Sequence, residues 1–207
     1  GSEVIKILGK ASSINVRKVL WTCVELGVNY EREDYGSGFA SVQTDDFRAL
    51  NPNAMVPVLV DGDFVLWESN AICRYLANGS QLLPSEPKSR AKVEQWMDWQ
   101  ATELNNSWRY AFMALVRQSA LHQDPAMIQA GIAAWNLHMA ILDAHLAKTK
   151  RFAIGDQFTL ADVVLGLSLN RWMMTPFEKP FMPHLAAYYE LLSERRGYLE
   201  HGRNGVV

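Results

Sequence analysis

The hydrophobic period of this chain changes character once, across a polar stretch at residues 78–88, and that change limits what it can fold into. Residues 3–79 switch repeatedly between the two-residue period of strands and the 3.6-residue period of helices, whereas residues beyond 88 keep only the helical one. A chain patterned in this way reads as an α/β domain followed by an all-α helical bundle. The polar stretch carries Pro84 and Pro87 and reads as a linker at 80–88, between domains at 1–79 and 89–207. A length of 207 residues leaves room for two domains of modest size.

Within the first domain, Val4 to Leu8 (VIKIL) reads as a strand. Val16, Val19, Leu20, Cys23 and Val24 then recur at i, i+3, i+4, i+7 and i+8, one face of a helix that should stop at Gly27. Asn29 to Asp34 is a second, partly exposed strand, and a short helix is expected near Asp45 to Leu50. Asn51-Pro52-Asn53 is a turn cluster. The runs PVLV and DFVLW flank Asp61-Gly62-Asp63, a hairpin signal. Ala71, Ile72, Tyr75 and Leu76 mark a further helix. The order β-α-β-α-β-β-α gives a mixed four-stranded sheet with helices on its faces.

In the second domain Val93, Met97, Leu104, Trp108, Ala111 and Leu115 line one helix, and Ile128, Ile132, Trp135, Met139, Leu142 and Leu146 the next. Asp124-Pro125 is an N-cap followed by proline at the first helical position. Thr159 and Asp162 have capping-box spacing. The helix they open, Leu160 to Trp172, is apolar nearly all round and should lie at the centre of the bundle. A last helix is expected from about His184 to Arg195, stopping near Gly197.

Several functions are disfavoured by composition. A net charge of −2 provides no field to gather nucleic acid or an anionic membrane. No apolar run approaches the roughly 20 residues needed to span a bilayer. VIKIL is too short for a secretory leader, and Gly1-Ser2 reads as a cloning remnant. Cys23 and Cys73 have neither metal-ligand nor C-x-x-C spacing, so no metal is expected; two unpaired cysteines fit a reducing, cytoplasmic setting.

Chemistry gathers at two places. A cis Val56–Pro57 bond would leave the N–H and C=O of Val56 facing outward, where an extended peptide pairs as an added strand; a trans proline opening a strand is the plainer alternative. Just beyond the hairpin, the Ser69 hydroxyl and the free N–H groups of a helix start suit a carboxylate, and Glu68 suits an ammonium. Together they would clamp an amino-acid head, although Ser69 alone would read as a simple N-cap. Ser12, Ser13 and Asn15 lie between the first strand and the first helix. Each is a possible cap. Each is also a donor that, with the positive end of the helix, would stabilise a thiolate.

The stretches GKASSINVRKVLW (Gly9 to Trp21), NPNAMVPVLVDGD (Asn51 to Asp63), WESNAICRYL (Trp67 to Leu76) and FAIGDQFTLADVVL (Phe152 to Leu165), in this order, resemble the cytosolic glutathione S-transferases, in particular the serine-type and bacterial theta-like classes. The resemblance covers essentially the whole chain. It implies a thioredoxin-like N-terminal domain that binds glutathione, a helical C-terminal domain, a cis Val56–Pro57 bond, and a homodimer with no cofactor besides glutathione as co-substrate. It implies an enzyme of the detoxification type that activates the glutathione thiol for attack on a small hydrophobic electrophile. Val56, Pro57, Glu68 and Ser69 would hold glutathione. Ser13 matches the serine of the serine-type classes, and Asn15 the asparagine of some bacterial disulfide-linked members; Ser12 is the neighbour that would replace either. Trp108, Phe112 and Met113 would face the second substrate. Gln100, Thr102 and Glu103 are candidates for a polar group lent by the partner chain. Met55 stands where many relatives carry a base, so the contact to the glycyl carboxylate is unassigned. Two alternatives remain open at this level: a glutathione-dependent disulfide reductase or peroxidase, and a glutathione-binding protein with little catalysis.

Overall fold

A computed structural model describes residues 4–207. The chain divides into two compact units, one formed by residues up to Leu83 together with Arg196–Val206, the other by Pro84–Arg195 with Val207.

The first unit follows the expected order: β1 (Ile5–Leu8), α1 (Ile14–Leu26), β2 (Tyr30–Glu33), α2 (Asp45–Leu50), β3 (Val58–Asp61), β4 (Phe64–Trp67) and α3 (Ser69–Ala77). The sheet runs β2-β1-β3-β4, with β1 parallel to β2 and the other pairs antiparallel. β1 is central because Ile5, Ile7 and Leu8 are all buried. β2, read as partly exposed from its charges, is an edge strand whose burial alternates. α1 buries Val16, Val19, Leu20 and Cys23. It ends as its sequence predicts: Gly27 takes a left-handed φ of 68°, and the Val28 N–H reaches back to Cys23 C=O at 2.9 Å. Leu8, Phe47 and Val58 form a small cluster with Leu50, Val56 and Val65 around it, which ties α2 to the hairpin.

The second unit contains α4 (Pro87–Trp99), a π-helical turn (Gln100–Leu104), α5 (Asn105–Leu115), α6 (Pro125–Thr149), α7 (Leu160–Met174) and α8 (Pro183–Leu192). Glu86 caps α4 by accepting from Lys88 and Ser89 N–H groups. Asp124 caps α6 by accepting from Ala126 N–H at 3.0 Å. Helix α7 is buried from Leu160 to Trp172, as an all-round apolar helix must be. Its capping box is complete: Thr159 Oγ1 accepts from Ala161 N–H, and Asp162 accepts from Thr159 N–H at 2.9 Å. Asp162 does more than cap, accepting also from Ala153 N–H at 2.8 Å and from the Tyr188 hydroxyl at 2.6 Å.

Three expectations need correction. The single last helix from His184 to Arg195 is two helices, α8 and α9 (Arg196–His201), and Gly197 lies inside the second instead of ending the first. Helix α9 belongs with the first unit and not with the helical one, because it packs on α1. The reason is local. The Tyr198 ring sits 4.8 Å from Trp21, and Gly197 lies so close to Trp21 that a Cβ there would collide with the indole. Gln100, a candidate partner-facing group, is 2% exposed and donates to Ser168 Oγ at 2.9 Å inside the helical unit. Thr102 and Glu103 remain exposed.

Candidate functional site

A cavity of about 50 Å³ opens in the first unit where three segments meet. The loop before β3 supplies Asn51, Asn53, Met55, Val56 and Pro57; the corner between β4 and α3 supplies Trp67, Glu68 and Ser69; the first turn of α1 supplies Asn15.

The Val56–Pro57 peptide bond is cis. The β3 ladder begins at Val58, paired with Leu8 on one side and Trp67 on the other. Val56 lies outside that ladder, and its N–H and C=O bond to no other described residue. The loop feeding it is fastened by Asn51, a side chain 3% exposed. Asn51 Nδ2 donates to Met55 C=O at 2.9 Å, while its Oδ1 accepts from Asn53 N–H at 3.0 Å and Asn53 Nδ2 at 2.9 Å. By sequence alone Asn51 and Asn53 are turn formers. The Asx bond of an asparagine to the N–H two residues on is the signal that marks the first of them as a fastener.

At the corner, Glu68 occupies the cap position of α3 with φ 78° and ψ 113°, far from the regions a non-glycine residue prefers. It makes no side-chain capping bond. Ser69 is therefore the first helical residue and not the cap. It is buried, and its hydroxyl donates to Asn15 Oδ1 at 3.4 Å. One weak bond thus joins the amino-acid clamp read from the sequence to the helix start read as a thiol site.

The three candidates for the thiol contact separate. Asn15 lines the cavity; Ser12 and Ser13 are not among its lining residues. Ser12 is exposed, and Ser13 is the half-buried cap residue of α1, whose hydroxyl makes no capping bond. Arg17, one turn further along α1, is buried and donates to Val206 C=O at 3.3 Å within the first unit. Cys23 and Cys73 are free and buried; burial pushes their thiols up to about 12 and about 11. Neither is poised to react.

The aromatic candidates belong to the helical unit. Trp108 and Phe112 meet edge-on with centroids 5.1 Å apart, and the Arg171 guanidinium lies 4.8 Å and 3.9 Å from the two rings. Both are buried, whereas Met113 is half-buried. Among the described residues no cluster of His, Cys, Asp or Glu has metal-binding form, and no helix is long and apolar enough to cross a membrane.

This architecture has counterparts. The glutathione S-transferase N-terminal domain matches residues 3–78, and the glutathione S-transferase C-terminal domain matches residues 125–191. Glutathione S-transferase GstB of Escherichia coli K12 is 39% identical over 197 residues, covering 93% of this chain and 94% of its own. Glutathione S-transferase 3 of Zea mays is 32% identical, covering 94% and 91%. The crystal structure of the theta class glutathione S-transferase from Xanthomonas axonopodis pv. citri with glutathione bound superposes with a TM-score of 0.91 at 38% identity, over 99% of each chain. The chain belongs to the glutathione S-transferase family and is an enzyme of that family.

Proposed function

We propose that the first-unit cavity binds glutathione and prepares its thiol for attack on a hydrophobic electrophile. The observation that carries this reading is the meeting, in one cavity, of the unbonded Val56 backbone, Glu68, Ser69 and Asn15. The cysteinyl backbone pairs with Val56 as a short added strand. The γ-glutamyl ammonium meets Glu68, and its carboxylate meets Ser69 and the first turn of α3. The sulfur then lies by the first turn of α1, with Asn15 and the uncommitted Ser13 hydroxyl as donors. A free thiol has a pKa of about 8.5, and lowering it by about two units requires roughly 2.7 kcal/mol. A charge-assisted hydrogen bond and a helix terminus are together of that size. The thiol proton leaves to solvent, a sulfur lone pair forms the new C–S bond, and the leaving group departs with its bonding pair. The theta-class structure with glutathione bound, similar over the whole chain, supports the reading. The same proposal includes a glutathione-binding domain at 1–79, a two-fold dimer and a reducing, cytoplasmic setting.

A second reading is glutathione-dependent disulfide reduction, which one observation favours: Asn15, and not Ser13, lines the cavity. The test is glutathione affinity together with turnover of an aryl halide and of a small disulfide, in wild type, Ser13→Ala and Asn15→Ala. Conjugation that falls at least roughly tenfold in either variant, with glutathione affinity little changed, supports the transferase reading. Disulfide reduction that fails only in Asn15→Ala, with feeble conjugation throughout, supports the second. Absence of glutathione binding overturns both.

A further inference from the structure

The first-unit cavity has two unlike ends. One is the corner at Glu68 and Ser69, where the start of α3 offers a hydroxyl, first-turn N–H groups and one carboxylate. At the other, ahead of Val56, the wall is Asn51, Asn53 and Met55. Antiparallel pairing on Val56 lays the residue after the cysteine against the residue before Val56, so the glycyl end of the tripeptide meets Met55. The side chain there is a thioether, 60% exposed. Asn51 is already committed: its Nδ2 holds the Met55 carbonyl, and its Oδ1 accepts from both the N–H and the Nδ2 of Asn53. What this end offers is dipolar, namely the second hydrogen of Asn53 Nδ2 and the Met55 N–H, which bonds to no other described residue.

The charges of this region are mostly of one sign. Among the described residues that line the cavity, Glu68 alone is charged. All of the lining except Asn15 comes from positions 35–73, where Asp45, Asp46, Asp61, Asp63 and Glu68 stand against a single cation, Arg48. Arg48 donates to Gln43 Oε1, just ahead of α2, and does not line the cavity. Lys10 lays its stem against Gly36 and is likewise outside the lining. Asn51 is also the C-cap of α2, so the partially negative end of that helix adds to the same wall. A free glycyl carboxylate would meet a thioether and two dipoles there, in a segment rich in acids.

We propose that the thiol this cavity prefers is glutathione whose glycyl carboxyl is joined in an amide, above all to an amine that leaves a positive charge on the tail. The inference rests on the reading of the cavity as a glutathione site and narrows its substrate class. An amide keeps the carbonyl oxygen that the Met55 N–H and Asn53 Nδ2 can meet, and it removes a charge that no lining residue answers. A cationic tail adds attraction to the surrounding acids. The γ-glutamyl head and the sulfur are the same in the acid and in its amides, so a difference in affinity reports the tail alone.

The test is calorimetric titration of the full chain, at low ionic strength, with glutathione, with its glycyl carboxamide, and with its glycyl amide of ethylenediamine, which carries the cation. Wild type should bind the carboxamide roughly twofold and the cationic amide roughly fivefold more tightly than glutathione, the size expected of partly exposed charge contacts. The lead of the cationic amide should shrink as salt is added, because salt screens exposed charges. Met55→Lys supplies a cation at an exposed side chain, so the fold is retained. It should reverse the order, with glutathione gaining roughly fivefold and the cationic amide losing about as much. Glutathione bound as tightly as either amide in wild type, or a Met55→Lys variant that keeps the wild-type order, would overturn the proposal and leave the glutathione reading standing. Failure of all three thiols to bind would overturn both.

Discussion

Glu68 is the residue at which sequence chemistry and backbone strain coincide. Its φ of 78° costs on the order of 1–3 kcal/mol, and it lines the cavity without a side-chain capping bond. Glu68→Gly should therefore raise the melting temperature by a few degrees, corresponding to roughly 1 kcal/mol, while the KM for glutathione rises tenfold or more and kcat changes less. Calorimetry and steady-state kinetics on one preparation check both halves. The cysteines make the opposite case. With thiols pushed up to about 12 and about 11, Cys23 and Cys73 should resist a disulfide thiol reagent at mildly alkaline pH and react fully once the chain is unfolded. At this scale the sequence was legible where residue type dictates chemistry: Glu68, Ser69 and the Val56–Pro57 pair do line one cavity. It was not legible where conformation decides. Nothing in the letters shows that Glu68 takes the cap position in a left-handed conformation, that Ser69 turns to Asn15, or that Arg17 is drawn inside to the Val206 carbonyl.

Among the elements, α7 depends most on one side chain. Asp162 accepts from Thr159, Ala153 and Tyr188, so Asp162→Ala strands three buried donors and should destabilise the protein by roughly 3–5 kcal/mol, measurable by urea unfolding. Burial pushes the Asp162 carboxyl up to about 6 from an ordinary 3.8, against the pull of those hydrogen bonds and the charge of Arg195. The folded state therefore holds the proton more tightly than the unfolded one. The contribution is full below pH about 4 and is lost as pH rises through about 6. The stability gap between wild type and Asp162→Asn should accordingly be wider near pH 4.5 than near pH 7.5, by up to a few kcal/mol. Helix α9 depends on an absent side chain. Gly197→Ala would drive a methyl group into Trp21 and should cost about 1–3 kcal/mol, with an altered Trp21 environment reported by fluorescence. Periodicity found β1 to α3 and α7 because each has a clear apolar face or none exposed. It missed the break between α8 and α9, because a glycine that permits close packing and a glycine that ends a helix look alike in sequence.

Across the whole molecule, the hydrophobic period changes near residue 80, and the structure divides the chain after Leu83. The return of residues 196–206 to the first unit was not legible, since a six-residue helix with one aromatic anchor has too little pattern to announce its partner. Family membership rests on similarity along the full chain, including 39% identity to a bacterial transferase. The activity proposed here rests on something narrower, the ability of one cavity to hold a peptide thiol in ionised form. The direct measurement is the ultraviolet absorbance of thiolate in the glutathione complex as a function of pH, in wild type and in Ser13→Ala and Asn15→Ala. The account predicts an apparent pKa about two units below the free value of about 8.5 in wild type, returning toward it in at least one variant. A complex whose thiol titrates like free glutathione, or a shift that survives both substitutions intact, would contradict it.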